Sequence, residues 1–206
     1  MPTAPRIAVI VASTRPTRFA DIPLAWIVEQ AKSHSELTFE VVDLRDYPLP
    51  FFELAIPPAM APRQYSGDVH EKLGKVLDAA DGFIILTNEY NHSFPATLKN
   101  MLDHYFVELN RKPVAFAGYG NAGAARAIEQ LRQVIDELDM ASVRPSLNML
   151  GEHVMPIRMK TAEPATAFAP LVPKFDAVVA DLHWWTVALK TARAADEEST
   201  DTSDEA

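Results

Sequence analysis

Cysteine is absent from all 206 residues. That one absence excludes disulfides, thiolate metal sites and cysteine nucleophiles, and it fits an intracellular, cytoplasmic protein. Basic clusters are missing too. The net charge is −9, which argues against nucleic acid as a partner, since such a footprint needs a basic face. Six acids, Asp196, Glu197, Glu198, Asp201, Asp204 and Glu205, fall in the closing stretch 194–206, so the body at 1–193 carries only −9 + 6, about −3. That stretch is expected to be an acidic, disordered tail. No apolar run is long enough to span a bilayer, and the N-terminal run lacks the charged lead of a secretory signal, so no membrane partner is expected. The six histidines, at 34, 70, 92, 104, 153 and 183, are scattered without metal-ligand spacing, and no metal site is expected. A G-x-S-x-G motif is also lacking, which speaks against an α/β-hydrolase.

What is present is an alternation. Arg6–Ala12 is a continuous apolar, β-branched run, the pattern of a strand buried on both faces. Further strands are expected at Leu37–Leu44, Gly82–Leu86, Pro113–Ala117 and Ser142–Leu150. Helices are expected from about Ile22 to Ala31, at Asp68–Ala80, Pro95–Leu109 and Gly123–Asp139, and in a long final segment carrying Leu171, Phe175, Val178, Val179, Leu182 and Trp185. Strand and helix alternating five times give one α/β domain with a parallel sheet and helices on both faces. Arg45–Ser66, rich in proline and aromatics, is a lid or wall candidate.

Three strand-to-helix turns carry the polar chemistry. The first, Ser13 to Arg18, offers hydroxyls, two guanidinium groups and a helix amino end, a combination that suits an anion. It lacks the Gly-Lys-Ser/Thr ending of a P-loop. The third, Thr87 to Asn100, is dense in donors and acceptors at Asn88, Glu89, Tyr90, Asn91, His92 and Ser93. The fourth, Gly118 to Gly123, matches G-x-G-x-x-G. It sits in the wrong unit for a dinucleotide fingerprint and has no acid suitably placed beyond it; its glycines would instead let a planar ligand approach the backbone. In a sheet of order 2-1-3-4-5 these turns converge on one crevice. A flat, hydrogen-bonding ring with a phosphate at one end would fit there, and some other phosphate ligand on a non-redox module stays open at this point.

The stretch Glu89-Tyr90-Asn91, Ser93, Pro95, Leu98-Lys99-Asn100 resembles the P-E-Y-N-x-S-x-P-x-x-L-K-N signature of the NADPH-dependent FMN reductase family, the flavodoxin-like quinone, chromate and azo-dye reductases. Ala12 to Arg18 resembles its G-S-T-R-P-G-R turn, and Gly118 to Arg126 its S-Y-G-G-x-x-G-x-R-A loop. The resemblance implies a flavodoxin-like, three-layer, doubly wound five-stranded sheet and bound FMN, reduced by NADPH or NADH and reoxidised by a quinone-like or other small acceptor. A flavodoxin-like electron carrier or redox sensor with little turnover is the alternative. By the same resemblance Ser13, Arg15, Thr17 and Arg18, with main-chain groups of Phe19 and Ala20, would hold the phosphate. Asn88, Glu89, Tyr90 and Asn91 would border the ring's pyrimidine side, and Tyr119, Gly120 and Gly123 would lie near the ring. No side chain is nominated as a catalytic acid, base or nucleophile, since the cofactor carries the electronic chemistry. Family members are usually homodimers, and a tetramer is left open; Leu98, Met101, Leu102 and Tyr105 could form such a seam or plain core. Four positions depart from the family pattern: Ala12 and Thr17 replace glycines, Asn88 a proline and Gly118 a common serine.

Overall fold

The structure, a computed structural model, describes residues 4–204, with side chains through residue 196. Strands β1 (Arg6–Val11), β2 (Thr38–Asp43), β3 (Gly82–Asn88), β4 (Pro113–Tyr119) and β5 (Ala141–Met149) alternate with helices α1 (Asp21–Ala31), α2 (Asp68–Asp78), α3 (Ala96–Asp103) and α4 (Ala125–Glu137). Three more helices follow, α5 (Gly151–Arg158), α6 (Pro164–Phe168) and α7 (Val172–Asp204). All the strands are parallel, in the order β2-β1-β3-β4-β5. This is the expected doubly wound, flavodoxin-like sheet.

Alternating side chains send the central strands' apolar residues to opposite faces. Val9, Ile84 and Ala115 face one layer, with Trp26 and Ile27 of α1 and Phe175, Val178 and Leu182 of α7. Ile10, Ile85 and Phe116 face the other, with Leu73 and Leu77 of α2, Leu98 and Met101 of α3 and Leu131 of α4. Every residue of β3 and β4 is buried, which is why both strands read as unbroken apolar runs rather than alternating ones. Each large side chain so buried contributes roughly 1.5–3 kcal/mol. Because the order reverses at β1, the crossovers on its two sides leave in opposite directions and open a crevice beyond the carboxyl ends of β1 and β3.

Several expected boundaries shift. The third helix ends at Asp103 rather than Leu109, because the chain turns there to send Tyr105 inward, where its hydroxyl donates to His70 O at 2.8 Å. Pro95 caps this helix instead of opening it. Leu98, Met101, Leu102 and Tyr105 are all buried in the chain's own core, so they form core and no seam. Residues 151–158, for which the sequence analysis expects no helix, form α5; Gly151 at its start and Pro156 inside it mask the buried pair Val154 and Ile157. The last helix runs past Arg193 to Asp204, and Asp196 accepts from Arg111 at 2.7 Å. The side chains of 197–204, and residues 205 and 206, lie outside the described residues.

The proline-rich segment is pinned as a wall. Asn100 on α3 accepts from Phe52 N–H at 2.9 Å and donates to Pro50 O at 2.8 Å. Tyr65 donates to the buried Glu108 at 2.7 Å, and Ser66 N–H donates to His70 Nδ1 at 3.1 Å. Between this wall and the first turn lies a cleft of about 590 Å³ reached by Thr14, Arg45, Tyr47, Leu49 and Met101.

Candidate functional site

The first turn is built around Arg18, whose side chain is 1% exposed. Its Nε and Nη2 donate to Asp21 at 2.8 and 2.6 Å, Nη2 also to Asp43 at 2.6 Å, and Nη1 to Asp43 and to Ser13 O at 2.7 and 2.6 Å. A guanidinium has five N–H groups, and these five bonds occupy them all. Arg18 therefore holds the turn's shape and has no donor left for a phosphate, a different task from the one its sequence position implied. Burial alone would raise the Asp43 carboxyl, but hydrogen bonds from Arg18 and Arg45 outweigh it and hold the group down to about 2. Asp43 and Arg45 were missed by sequence reading. They belong to the end of β2, and only the β1–β2 pairing, Val11 against Asp43, brings them beneath the turn.

With the turn fixed, its main chain faces outward. Among the described residues, the amides of Thr14, Arg15, Thr17, Phe19 and Ala20 have no protein acceptor. Ser13 is buried beside them, and Arg15 is exposed. Thr97 on α3 donates to Ala12 O at 2.8 Å and ties the turn to the third unit. A row of free amides at a helix start is an anion cradle.

At the head of β3 the chain makes a tight reversal. Tyr90 and Ser93 exchange main-chain bonds at 2.8 and 3.0 Å, with Asn91 and His92 both left-handed, at φ 50° and 69°. These signs are those of a type I′ turn, in which Asn is tolerated at the first central position. Helix α4 clamps the reversal. Gln130 donates to His92 O at 2.8 Å and accepts from Ser93 at 2.6 Å, while Arg126 contacts His92 Nε2 at 2.8 Å and pairs with Glu89. Arg126 and Gln130 were also missed as supports, although Arg126 lies inside the quoted loop motif.

The three turns meet. Arg15 lies over the Tyr90 ring at 5.7 Å, Tyr119 donates to Asn88 Oδ1 at 3.5 Å, and the Phe19 and Tyr119 rings stand 5.8 Å apart. Burial pushes the Tyr119 hydroxyl up to about 12, so it is a neutral hydrogen-bonding group. Gly120 adopts φ 136°, and an added Cβ would meet nothing within 4 Å, which leaves its face open. Gly123 does something else: it packs on β5, where a Cβ would come within 2.8 Å of Asn148, and its carbonyl accepts from Asn148 at 2.9 Å.

Two polar atoms in this crevice are buried without a partner, Asn88 Nδ2 and Glu89 Oε2. Such orphans cost about 1–3 kcal/mol each unless a ligand or water meets them. One is a donor and the other an acceptor, on adjacent residues, and Asn88 lies in register with Tyr119, the neighbour of the open Gly120. A phosphorylated flat ring whose edge carries both carbonyl oxygens and an N–H fits this set of groups. No group of three His, Asp or Glu able to hold a metal occurs among the described residues.

Comparison with known proteins agrees with this geometry. The family model of NADPH-dependent FMN reductase matches residues 5–154. The chain is similar to an NAD(P)H-dependent FMN reductase of Schizosaccharomyces pombe, 32% identical over 166 residues, covering 80% of this chain and 82% of the relative. It is similar over a shorter stretch to the Escherichia coli quinone reductase, 37% identical over 76 residues, covering 34% of this chain and 40% of that one. Among solved structures it shares its fold with the flavoenzyme NAD(P)H:(acceptor) oxidoreductase FerB of Paracoccus denitrificans, at a TM-score of 0.68 and 20% identity, covering 86% of this chain and 97% of that one.

Proposed function

This chain belongs to the NADPH-dependent FMN reductase family and is an FMN-dependent NAD(P)H oxidoreductase, and we propose that it passes reducing equivalents to a quinone-like or other small oxidised acceptor. The observation that carries the site assignment is the adjacent orphan pair, Asn88 Nδ2 and Glu89 Oε2, set beside a turn of free amides.

In this reading the amides of Thr14, Arg15, Thr17, Phe19 and Ala20, with the Ser13 hydroxyl and Arg15, hold the phosphate. Asn88 donates to a ring carbonyl and Glu89 accepts the ring N–H. Tyr90 and Asn91 form the rim, and Tyr119 and Gly120 the floor. When bound, FMN supplies the hydride-accepting and hydride-donating chemistry. The chain's own work is positional. Arg18 keeps the cradle shaped, Arg126 and Gln130 hold the rim, and the left-handed turn at Asn91 and His92 fixes where the ring edge is met. No side-chain acid or nucleophile is assigned.

The apolar wall beside the crevice supports a homodimer. Phe51 and Met60 are 84% and 78% exposed on the proline-rich segment, and large exposed apolar groups of this kind mark contact surfaces. The cysteine-free sequence supports a cytoplasmic setting.

The purified protein mixed with FMN should retain a flavin spectrum that bleaches on adding NADPH or NADH, and a quinone should restore it. A protein that stays colourless after gel filtration would refute the site. In the double variant Ser13→Ala, Arg15→Ala, FMN affinity should fall by about 100-fold or more, since two strong phosphate contacts are each worth about 1.5–3 kcal/mol. Isothermal titration measures this, and unchanged affinity would place the phosphate elsewhere.

A further inference from the structure

The charges under the first turn cancel. Arg18 and Arg45 bring two positive charges, and Asp21 and Asp43, which they bind, bring two negative ones. A phosphate monoester near neutral pH carries a charge of about −1.5 to −2. Of the turn's own cations only Arg15 is left to answer it, one charge against nearly two. A second guanidinium stands at the same turn. Arg158, the last residue of α5, lies over the Phe19 ring, its guanidinium carbon 4.9 Å from the centroid. The amide of Phe19 is one of the free donors of the cradle. Arg158 is exposed, and among the described residues its side chain makes no hydrogen bond or ion pair.

We propose that Arg158 is the second counter-charge of the bound phosphate, with Arg15 as the first, and that through it the chain tells FMN from riboflavin, the same ring without a phosphate. The inference rests on the FMN reading of this crevice. The fold sets the residue there. Val154 and Ile157 of α5 are buried in the layer that holds Trp26 and Ile27 of α1. At the other end of α5, Gly151 N–H donates to Asn121 O in the β4–α4 loop at 3.2 Å. Helix α5 therefore bridges the start of α1 and the loop after β4, the two elements that border the cradle and the ring floor. A cation in the last turn of a helix also complements the helix dipole, but that role is filled in any orientation of the side chain. Stacking on Phe19 is a further constraint, and it keeps the charge at the turn rather than in open water. A guanidinium suits both tasks at once, since its face stacks on the ring while its edge still offers N–H groups to phosphate oxygens. Arg158 lies beyond residues 5–154 that the family model matches, so it belongs to this chain's own pattern rather than to the family signature.

The test compares FMN with riboflavin on the full chain by isothermal titration. Arg158→Gln should weaken FMN binding about 10-fold, the loss of one charge-assisted bond, and leave riboflavin affinity as in the parent. Its FMN affinity should also fall less steeply with added salt, because one charge fewer is screened. The phosphorus NMR resonance of bound FMN should shift between parent and variant. Arg158→Lys, which keeps the charge without the planar fork, should recover part of the loss. Arg144→Gln is the control: it removes another exposed arginine, from the amino half of β5 and away from the crevice, and should leave both affinities unchanged. An FMN affinity in Arg158→Gln within about twofold of the parent, less than one charge-assisted bond supplies, overturns the proposal. So does an equal loss for riboflavin, which would make Arg158 a prop for the ring, or an equal loss in Arg144→Gln, which would make the effect one of net charge. A parent protein that retains neither flavin refutes the site itself, so the two readings fail on different measurements.

Discussion

Arg18→Ala should cost the fold about 3–5 kcal/mol and abolish FMN retention, although on this reading Arg18 never touches the phosphate. Removing one partner of a buried ion pair strands the other charge, and here two carboxylates, Asp21 and Asp43, lose Arg18 together with Ser13 O and keep only the more exposed Arg45 as a cationic partner. Asp43 is the more serious loss, since its side chain is 13% exposed while that of Asp21 is 50% exposed. Urea unfolding would measure the stability change and a flavin spectrum the retention. The acid limb supplies an independent check. Asp43 has a folded pKa of about 2 against an ordinary value of 3.8. The unfolded chain therefore takes up protons first as pH falls, and the stabilisation, about 2 kcal/mol, is complete above pH 4 and is lost on going down toward 2. In Arg18→Ala the carboxyl loses its main counter-charge and its pKa rises, so acid unfolding should begin at a higher pH than in the parent. A variant that unfolds at the parent's urea concentration and keeps its yellow colour would show that the five-bond cluster is dispensable.

Gly118 is the second critical position. An added Cβ would lie 2.2 Å from Gly123 O, 2.9 Å from Ala124 Cβ and 3.0 Å from Ile128 Cδ1. The nearest of these is main chain, so the clash cannot be relieved by a side-chain rotation. Either the β4–α4 loop lifts or β4 moves in a sheet where both its neighbours are paired. Gly118→Ala should cost about 1–3 kcal/mol, as overpacking does, and Gly118→Val more, with loss of flavin in both as the loop is displaced. Gly120→Ala makes the contrast. Its cost is backbone strain at φ 136° with open space around the new methyl group, about 1–3 kcal/mol, and it should lower flavin affinity even where the fold survives. Equal stability of Gly118→Ala and the parent in urea would mean that the loop does not sit as close to β4 as described. The same distance accounts for one departure from the family pattern: where serine is common this chain has glycine, and its loop lies closer than any Cβ would permit.

Much of the site was legible because its signals are local. The free-amide turn announces itself as Ser-Thr-Arg-Pro-Thr-Arg after an apolar strand, and the β3 reversal as a polar run before a proline-capped helix. What misled was function shared across distance. Arg15 and Arg18 look alike in the sequence. They separate only because the β1–β2 pairing places Asp43 under one of them and leaves the other facing Tyr90. Gly120 and Gly123 look alike too, yet one is open and the other is packed on β5. Helix three reads as apolar through Leu109, but periodicity does not distinguish a helix that continues from a turn that buries Tyr105 and Leu109 in the same core.

By itself the sequence determined the order and type of the elements, because burial on both faces and helical spacing leave a chemical period in any chain that must cover a parallel sheet. It also determined which three turns hold the polar groups, since the sheet's switch point follows from that order. Only the tertiary structure decided which of those groups are free. A donor already satisfied by a carboxylate from another strand is unavailable to a ligand, and whether that carboxylate arrives depends on a pairing between residues 25 positions apart, Arg18 and Asp43, which no local pattern records.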